Sequence, residues 1–186
     1  MKTPVLGSRK LKSPDRLIRR ARIAAVFVVL SLMLPATGWS QVRVDGDVPK
    51  ARVFAAADLA PLPQRKVEVR DDKGGKATYE GVDAVELLRH TGAPLGEDLR
   101  GAKMRLYVSV EARDRYQVVF ALADFDPGFT DNVILLADKR DGKPLSAQEG
   151  PFRLIVPADK RHARWVKQVI GLTVRTAPAA SAKGTK

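Results

Sequence analysis

The stretch Ile134-Leu-Leu-Ala-Asp-Lys-Arg-Asp-Gly-Lys-Pro-Leu145, followed by Gly150-Pro-Phe-Arg-Leu-Ile-Val-Pro157, decides the fold. It holds two apolar runs of strand length, separated by charged residues, glycine and proline. A short continuous apolar run bounded by turn residues is typical of a buried strand. We therefore predict buried strands at Asn132–Ala137 and Phe152–Val156.

Short strands punctuated by turns continue outward from these runs. Apolar and polar residues alternate at Lys66–Arg70, and Ala77–Tyr79 resumes beyond a glycine-containing turn, which together predict a hairpin. A second hairpin is predicted from Met104–Val110 and Tyr116–Leu122. Three more strands are predicted at Val42–Val44, Ala51–Phe54 and Val169–Val174.

One helix is specified by its end signals. Asp83 and Glu86 have the spacing of a capping box, and Leu88 belongs to the apolar stripe that follows. Gly92 and Pro94 supply the stop signals. Many strands with one or two helices predict an α+β domain and not a parallel α/β fold.

The first 40 residues are typical of a secretory signal peptide. Eight basic residues and one acid precede the apolar run Ile23–Leu34, and the small-residue stretch Ala36–Ser40 follows. The run is shorter than the roughly 20 apolar residues of a membrane span. We predict cleavage after Ser40, with an uncleaved amino-terminal anchor as the alternative.

Removing this segment changes the charge balance. The whole chain has 33 basic and 21 acidic residues, whereas the part after residue 40 has 25 and 20. The remaining excess is mild and spread out, so we expect no nucleic-acid partner. We predict a single folded domain over residues 41–175 and a disordered tail at 176–186, whose composition is small and polar.

The chain contains no cysteine. The domain must therefore be held by its core alone, which a length of about 146 residues allows. The absence also excludes thiol catalysis, iron–sulfur clusters and cysteine zinc sites. His90 and His162 make no metal motif, and a turn before Pro127 accounts for Asp124 and Asp126 more simply than a cation does. We expect no metal ligands.

Six motifs follow one another along the chain: Tyr79-x-Gly81-Val82 with Leu87-Leu88 and Gly92, Arg115-Tyr116-x-Val-Val-Phe120, Leu135-Leu-Ala137, Gly142-x-Pro-Leu145, Gly150-Pro-x-Arg153-Leu-x-Val-Pro157, and Arg164-Trp165. In this order they resemble the molybdopterin-binding domain of the sulfite oxidase family, over roughly Val53 to Val174, with Arg115 where the family usually has Gly. The resemblance implies the mixed, β-rich sulfite oxidase-like fold, oxidoreductase chemistry and molybdopterin as the cofactor.

The resemblance also implies a set of cofactor-binding residues. Arg153 and Arg164 stand at positions that bind the pterin's phosphate, with Arg164 where Lys is usual. A guanidinium can chelate phosphate oxygens through its planar fork. Arg161 joins them by proximity, and Tyr116 is a candidate for a ligand pocket. We predict no catalytic residue.

The chain departs from the family at the metal. The family's metal-ligating cysteine should fall near Val67–Arg70, where this sequence has Val69 or Arg70. Molybdenum favours soft sulfur ligands, and a cationic Arg would oppose it. The resemblance therefore implies molybdopterin, while the missing thiolate argues against molybdenum.

Each candidate also has a purely structural interpretation. Arg153 could face solvent or pair with an acid such as Asp159, and Arg164 could stack on Trp165. Tyr116 could be an ordinary half-buried strand tyrosine.

These observations leave three functions open for an exported, periplasmic domain. The first is a non-catalytic binding module, working beside a separate redox or envelope protein. The second is a molybdopterin-dependent oxidoreductase with a thiolate-free metal site. The third is a cofactor-free structural or interaction protein of the cell envelope. No stable membrane span is expected after signal cleavage.

Overall fold

The computed structural model describes residues 40–70 and 74–179. These residues form ten strands in two sheets. The strands are β1 (Gln41–Gly46), β2 (Arg52–Ala55), β3 (Gln64–Arg70), β4 (Lys76–Asp83), β5 (Leu106–Ala112), β6 (Gln117–Ala121), β7 (Leu135–Arg140), β8 (Lys143–Pro144), β9 (Arg153–Ile155) and β10 (Val169–Thr176). The first sheet has the order β2-β1-β10-β5-β6, with β1 and β10 parallel. The second has the order β3-β4-β7-β8, and β9 also pairs with β7.

The helices of the described residues are short. They are α1 (Ala56–Leu59), α2 (Ala84–His90) and 3₁₀ turns at Gly96–Asp98, Gly101–Arg105, Leu122–Phe125 and His162–Arg164. Few helices beside one mixed and one antiparallel sheet confirm the predicted α+β class.

Buried residues of both sheets share one hydrophobic core. Val108 and Val110 contribute from β5, Leu172 from β10 and Leu154 from β9. α2 adds Leu87, which is also fully buried. Burying one such side chain is worth about 1.5–3 kcal/mol, so a core of this composition can stabilise the domain without disulfides.

The hairpin of β5 and β6 forms as the alternating pattern predicts. In its loop, the backbone N–H of Arg115 donates to the carbonyl of Ala112, and Arg115 adopts a φ of 71°. A three-residue hairpin loop usually places glycine at this left-handed position. The structure therefore supplies the physical reason for glycine at the matching position of the family motif.

The strand predicted at Asn132–Ala137 begins later than expected, because the observed β7 runs from Leu135 to Arg140. It turns into β8 through Asp141 and Gly142, whose φ angles are 51° and 75°. An Asp-Gly pair suits a two-residue turn that requires positive φ at both positions.

Helix α2 starts after Asp83, as predicted, but the expected capping box is wrong. The Asp83 carboxylate accepts from Arg65 Nε at 2.9 Å and makes no cap hydrogen bond. Glu86 instead accepts from Arg89 Nη1 at 2.5 Å. The Asp83 carboxylate therefore pairs with Arg65 on β3 and does not cap the start of α2. The helix does end near Gly92, which has a φ of 74°.

The predicted signal peptide lies outside the described residues, apart from Ser40. Thr176 belongs to β10, and Arg105 Nη1 donates to the carbonyl of Ala177 at 2.9 Å. Residues 180–186 of the predicted tail lie outside the described residues. Across the described ranges, the structure contains no helix of the length and apolarity that a membrane crossing requires.

Candidate functional site

Arg153 is the most buried charged residue among the candidates. It lies on β9, which is buried along its whole length, and only 2% of the residue is exposed. Its Nη1 donates to the hydroxyl of Tyr79 at 2.9 Å and to Oε1 of Glu149. The expectations of a solvent-facing side chain, or of Asp159 as its partner, are therefore wrong.

Aromatic rings surround the same guanidinium. The Cζ atom of Arg153 lies 5.4 Å from the ring centroid of Tyr79 and 5.7 Å from that of Trp165. The Cζ of Arg140 lies 5.6 Å from the Tyr79 ring. Cations attract the faces of aromatic rings, and more strongly when water is excluded. The ring of Tyr79 thus contacts the guanidinium groups of both Arg153 and Arg140, and its hydroxyl accepts a hydrogen bond from Arg153.

Glu149 is the carboxylate of this cluster. It sits in the connection between β8 and β9, where the backbone N–H groups of Glu149 and Gly150 both donate to Ser146. Besides pairing with Arg153, its Oε1 lies 3.9 Å from Nη1 of Arg140. A buried arginine requires such a counter-charge, because an unpaired buried charge is strongly destabilising.

Arg164 has a different acid. Its Nε donates to Oδ2 of Asp159 at 2.8 Å and its Nη2 to Oδ1 at 2.5 Å, while Asp124 lies 4.0 Å away. The hydrogen bond to Asp159 raises the pKa of Arg164 above its usual value. The predicted stacking on Trp165 is wrong, because the Arg164 guanidinium lies over the ring of Phe120 at 4.5 Å.

The remaining predicted cofactor residues lie at the surface. Arg161 is exposed and precedes the 3₁₀ turn of His162–Arg164. Tyr116 is 48% exposed, and its hydroxyl donates to the carbonyl of Ala163 at 2.8 Å. Tyr116 lines a shallow groove of about 280 Å³ together with His162, whose ring stacks on Trp165 at 3.7 Å. Arg153 and Arg164 thus pair with two separate acids, and neither of them lines this groove with Tyr116.

The two acids that were weighed as cation ligands have structural roles. Asp126 is buried and accepts from the backbone N–H of Gly96 at 2.5 Å and of Gly128 at 2.9 Å. Asp124 accepts from the backbone N–H of Ala121 at 3.1 Å, at the start of a 3₁₀ turn. Within residues 40–70 and 74–179, no three His, Cys, Asp or Glu side chains are grouped as a metal ion would need.

Sequence reasoning missed two members of the Arg153 cluster as partners. The alternation of β4 places Tyr79 on the buried face with Ala77, so its inward direction was available from the pattern. Glu149 lies in a loop, where no periodicity indicates which side chain turns inward. Its proximity to Arg153 depends on the path of the connection between β8 and β9.

The end of β3 does not provide a molybdenum ligand. Val69 packs against the core and Arg70 is exposed, at the positions where the resemblance places the metal-ligating cysteine. The whole chain has no cysteine to replace it. The two arginines expected to hold the phosphate are already paired with carboxylates. The residues present therefore do not fit a thiolate-held molybdenum cofactor.

Comparison with known proteins agrees with the fold. The crystal structure of the sulfane dehydrogenase SoxCD from Paracoccus pantotrophus superimposes with a TM-score of 0.59 at 20% sequence identity. The match covers 76% of this chain and 39% of that chain, so this chain spans well under half the length of its structural neighbour. A search of curated proteins finds no match. The β-rich fold of two sheets is thus similar to the sulfite oxidase-like molybdopterin fold of that protein.

A family model described as "oxidoreductase molybdopterin binding domain" matches residues 33–183. The match covers most of the sequence, and the chain belongs to this family.

Proposed function

We propose that this chain is a non-catalytic binding module of the molybdopterin-binding family, without a molybdenum redox centre of its own. The observation that carries the proposal is the absence of cysteine from all 186 residues, with Val69 and Arg70 where a thiolate is expected. The chain therefore offers no thiolate, which is the ligand that holds the metal in the family that it resembles.

The electrostatics of the two arginines support the same proposal. Glu149 neutralises Arg153 and Asp159 neutralises Arg164. A phosphate that approached either guanidinium would have to compete with an acid already in hydrogen-bond contact. The arrangement is stable by itself and does not require a bound cofactor to balance a buried charge.

The setting of this module is proposed from the amino-terminal sequence. A basic segment followed by an apolar run and small residues supports export, and we place the domain in the periplasm. Any electron transfer would then be supplied by a separate redox protein or another envelope protein to which the module binds.

A cofactor-free interaction protein of the envelope is the second candidate. The pairing of both arginines with acids favours it, since neither guanidinium depends on a ligand. The two candidates differ in whether pterin accompanies the protein.

The test is to measure molybdenum and pterin in the protein purified from the exported fraction of its own host. We expect no molybdenum. Pterin without metal supports the binding module, and neither component supports the interaction protein. Molybdenum at about one atom per chain, a level that follows from a single site, would overturn the proposal in favour of a thiolate-free oxidoreductase.

A further inference from the structure

A small cavity lies between α1 and the paired strands β4 and β7, away from the arginines discussed above. Its volume is about 150 Å³. One water takes up about 30 Å³ of the liquid, so the cavity has room for about five non-hydrogen atoms. The buried residues Leu59, Leu136 and Phe152 form an apolar wall. The exposed residues Ala60 and Gln64 also line the cavity, so it opens to solvent.

An irregularity in the pairing of β4 with β7 places Asp138 beside this cavity. Glu80 of β4 pairs with Lys139 of β7, and the next residue of β4, Gly81, pairs with Ala137. Asp138 is therefore an extra residue on β7, and it lines the cavity. A β-bulge of this kind redirects a side chain and is over-represented next to functional sites.

The carboxylate of Asp138 has an unused oxygen at this position. Its Oδ1 is buried and makes no hydrogen bond within residues 40–70 and 74–179. The backbone of the same residue is fixed, because its carbonyl accepts from the N–H of Leu145 at 3.0 Å. A buried polar atom without a partner lowers stability, and a charged one lowers it more. The strand thus holds a carboxylate oxygen beside the cavity at a cost that a hydrogen-bond donor would remove.

The other polar group of the lining is also an acceptor. The Nε2 of Gln64 donates to the carbonyls of Leu59 and Leu62, both at 2.9 Å, which leaves the amide oxygen of Gln64 to accept. Asp138 is the only acidic residue among the described residues that line the cavity. Ca²⁺ and Mg²⁺ need roughly six oxygen ligands, so this lining does not suit them. A cation that donates hydrogen bonds and carries a short apolar stem fits the lining better.

We propose that this cavity binds a primary ammonium group on a short alkyl stem. The ammonium donates to Oδ1 of Asp138, and the stem packs against Leu59 and Phe152. Pairing removes the penalty of a buried carboxylate without a partner, and the stem gains by leaving water. The proposal goes beyond the proposed function and does not depend on it, because neither molybdenum nor pterin takes part in it.

Lys139 is the ammonium of this chain that is nearest in sequence to Asp138. It is exposed and also lines the cavity. In the part of the chain that the structure describes, no ion pair joins it to Asp138. The test must therefore distinguish an external ammonium from the one on Lys139, and Lys139→Gln makes that distinction.

The probe is n-butylammonium chloride, titrated calorimetrically into the full chain at pH 7 and constant ionic strength, with sodium chloride as the replacing salt. We expect the unchanged chain to bind butylammonium and not 1-butanol, which lacks the charge. Asp138→Asn keeps the size of the side chain and should weaken binding at least about tenfold, the loss expected for one hydrogen bond to a charged group. Asp98→Asn is the matched control, because it removes an exposed carboxylate in the 3₁₀ turn of Gly96–Asp98. Its binding should equal that of the unchanged chain.

A second probe separates the two sources of such a group. Nα-acetyl-lysine methylamide carries the same ammonium and stem on a peptide unit. Binding as tight as that of butylammonium would support the proposal with a lysine side chain of another protein as the ligand. Weaker binding would support it with a free amine as the ligand.

The unchanged chain decides the question even if Asp138→Asn does not fold. Its melting temperature should be higher in butylammonium chloride than in sodium chloride of equal ionic strength, and that of Lys139→Gln should rise at least as much. The absence of a rise in the unchanged chain, or an equal rise in a folded Asp138→Asn variant, would overturn the proposal. A rise in Lys139→Gln alone would also overturn it, because Lys139 itself would then occupy the cavity.

Discussion

Asp159 holds Arg164 through two parallel hydrogen bonds, from Nε to Oδ2 at 2.8 Å and from Nη2 to Oδ1 at 2.5 Å. The fork of the guanidinium is thereby used by an acid only five residues away in sequence. The Nε–Nη2 edge of a residue for which the resemblance implies phosphate binding is therefore already occupied by a carboxylate. The pair also lies beside Phe120, whose ring is covered by the guanidinium.

Replacing Asp159 by Asn should lower the free energy of unfolding modestly. The Arg164 side chain is 40% exposed, so solvent screens the pair and a loss of about 0.5–1 kcal/mol is expected. Urea denaturation at neutral pH measures the change. The control is Glu68→Gln, which removes the partner of the fully exposed Lys76 and should have no measurable effect. A larger loss at Glu68 than at Asp159 would contradict the argument.

The raised pKa of Arg164 determines the pH range in which the stabilisation by the Arg164–Asp159 pair changes. The hydrogen bond to Asp159 raises the pKa above that of the unfolded chain. A group whose pKa is raised by folding stabilises the fold fully below its unfolded pKa, and loses that contribution as the pH rises through the folded value. Both values lie far above neutrality. The stability difference between the unchanged chain and Arg164→Gln should therefore be equal at pH 7 and pH 9, as denaturation curves would show.

Arg153 and Arg164 should differ sharply when truncated. The acids of the two pairs are equally exposed, at 15%, but the Arg153 side chain is only 3% exposed and that of Arg164 is 40% exposed. Arg153→Ala therefore breaks a buried pair, which costs about 3–5 kcal/mol. Arg164→Ala removes a screened surface pair and should cost about 1 kcal/mol. Chemical denaturation of both variants tests the difference. Equal losses would show that the burial of Arg153 adds nothing to the stability that its ion pair provides.

The fold was more predictable from sequence than the site. The β5–β6 hairpin followed from alternation, which depends only on neighbouring residues. The cap of α2 failed because Arg65 draws Asp83 away from the helix, and Arg65 lies 18 residues earlier. Pairs of that kind form only after the sheet has assembled. Local propensity therefore carries no information about them.

The partners of the two candidate arginines show the same limit. The sequence offered Asp159 as a partner for Arg153, whereas the structure gives Asp159 to Arg164 and Glu149 to Arg153. A strand buried on both faces, as β9 is, has no alternation to indicate the direction of Arg153. The acid that pairs with Arg153 depends on the path of the connection between β8 and β9.

Gly81 should tolerate no side chain. A β-carbon there would lie 2.1 Å from the carbonyl oxygen of Leu136 and 2.6 Å from Cα of Ala137, both on the paired strand β7. Gly81→Ala must separate the two strands and should lower the free energy of unfolding by about 2–3 kcal/mol. The matched control is Gly142→Ala, which meets no atom within 4 Å. At a φ of 75° it should cost only about 1 kcal/mol. Thermal denaturation of both variants compares the loss of stability caused by Gly81→Ala with that caused by Gly142→Ala.

Arg115 should be improved by the glycine that the family motif favours. Its φ of 71° is costly for a residue with a β-carbon, by about 1 kcal/mol, and glycine removes that cost. Part of the gain is offset by the greater freedom of glycine in the unfolded chain, so Arg115→Gly should raise the free energy of unfolding by about 0.5 kcal/mol. Arg115→Ala is the control, because it removes the same side chain and keeps the β-carbon. Alanine should give no gain. If both substitutions stabilise the domain equally, the charge of Arg115 and not its backbone conformation is the unfavourable feature of this loop.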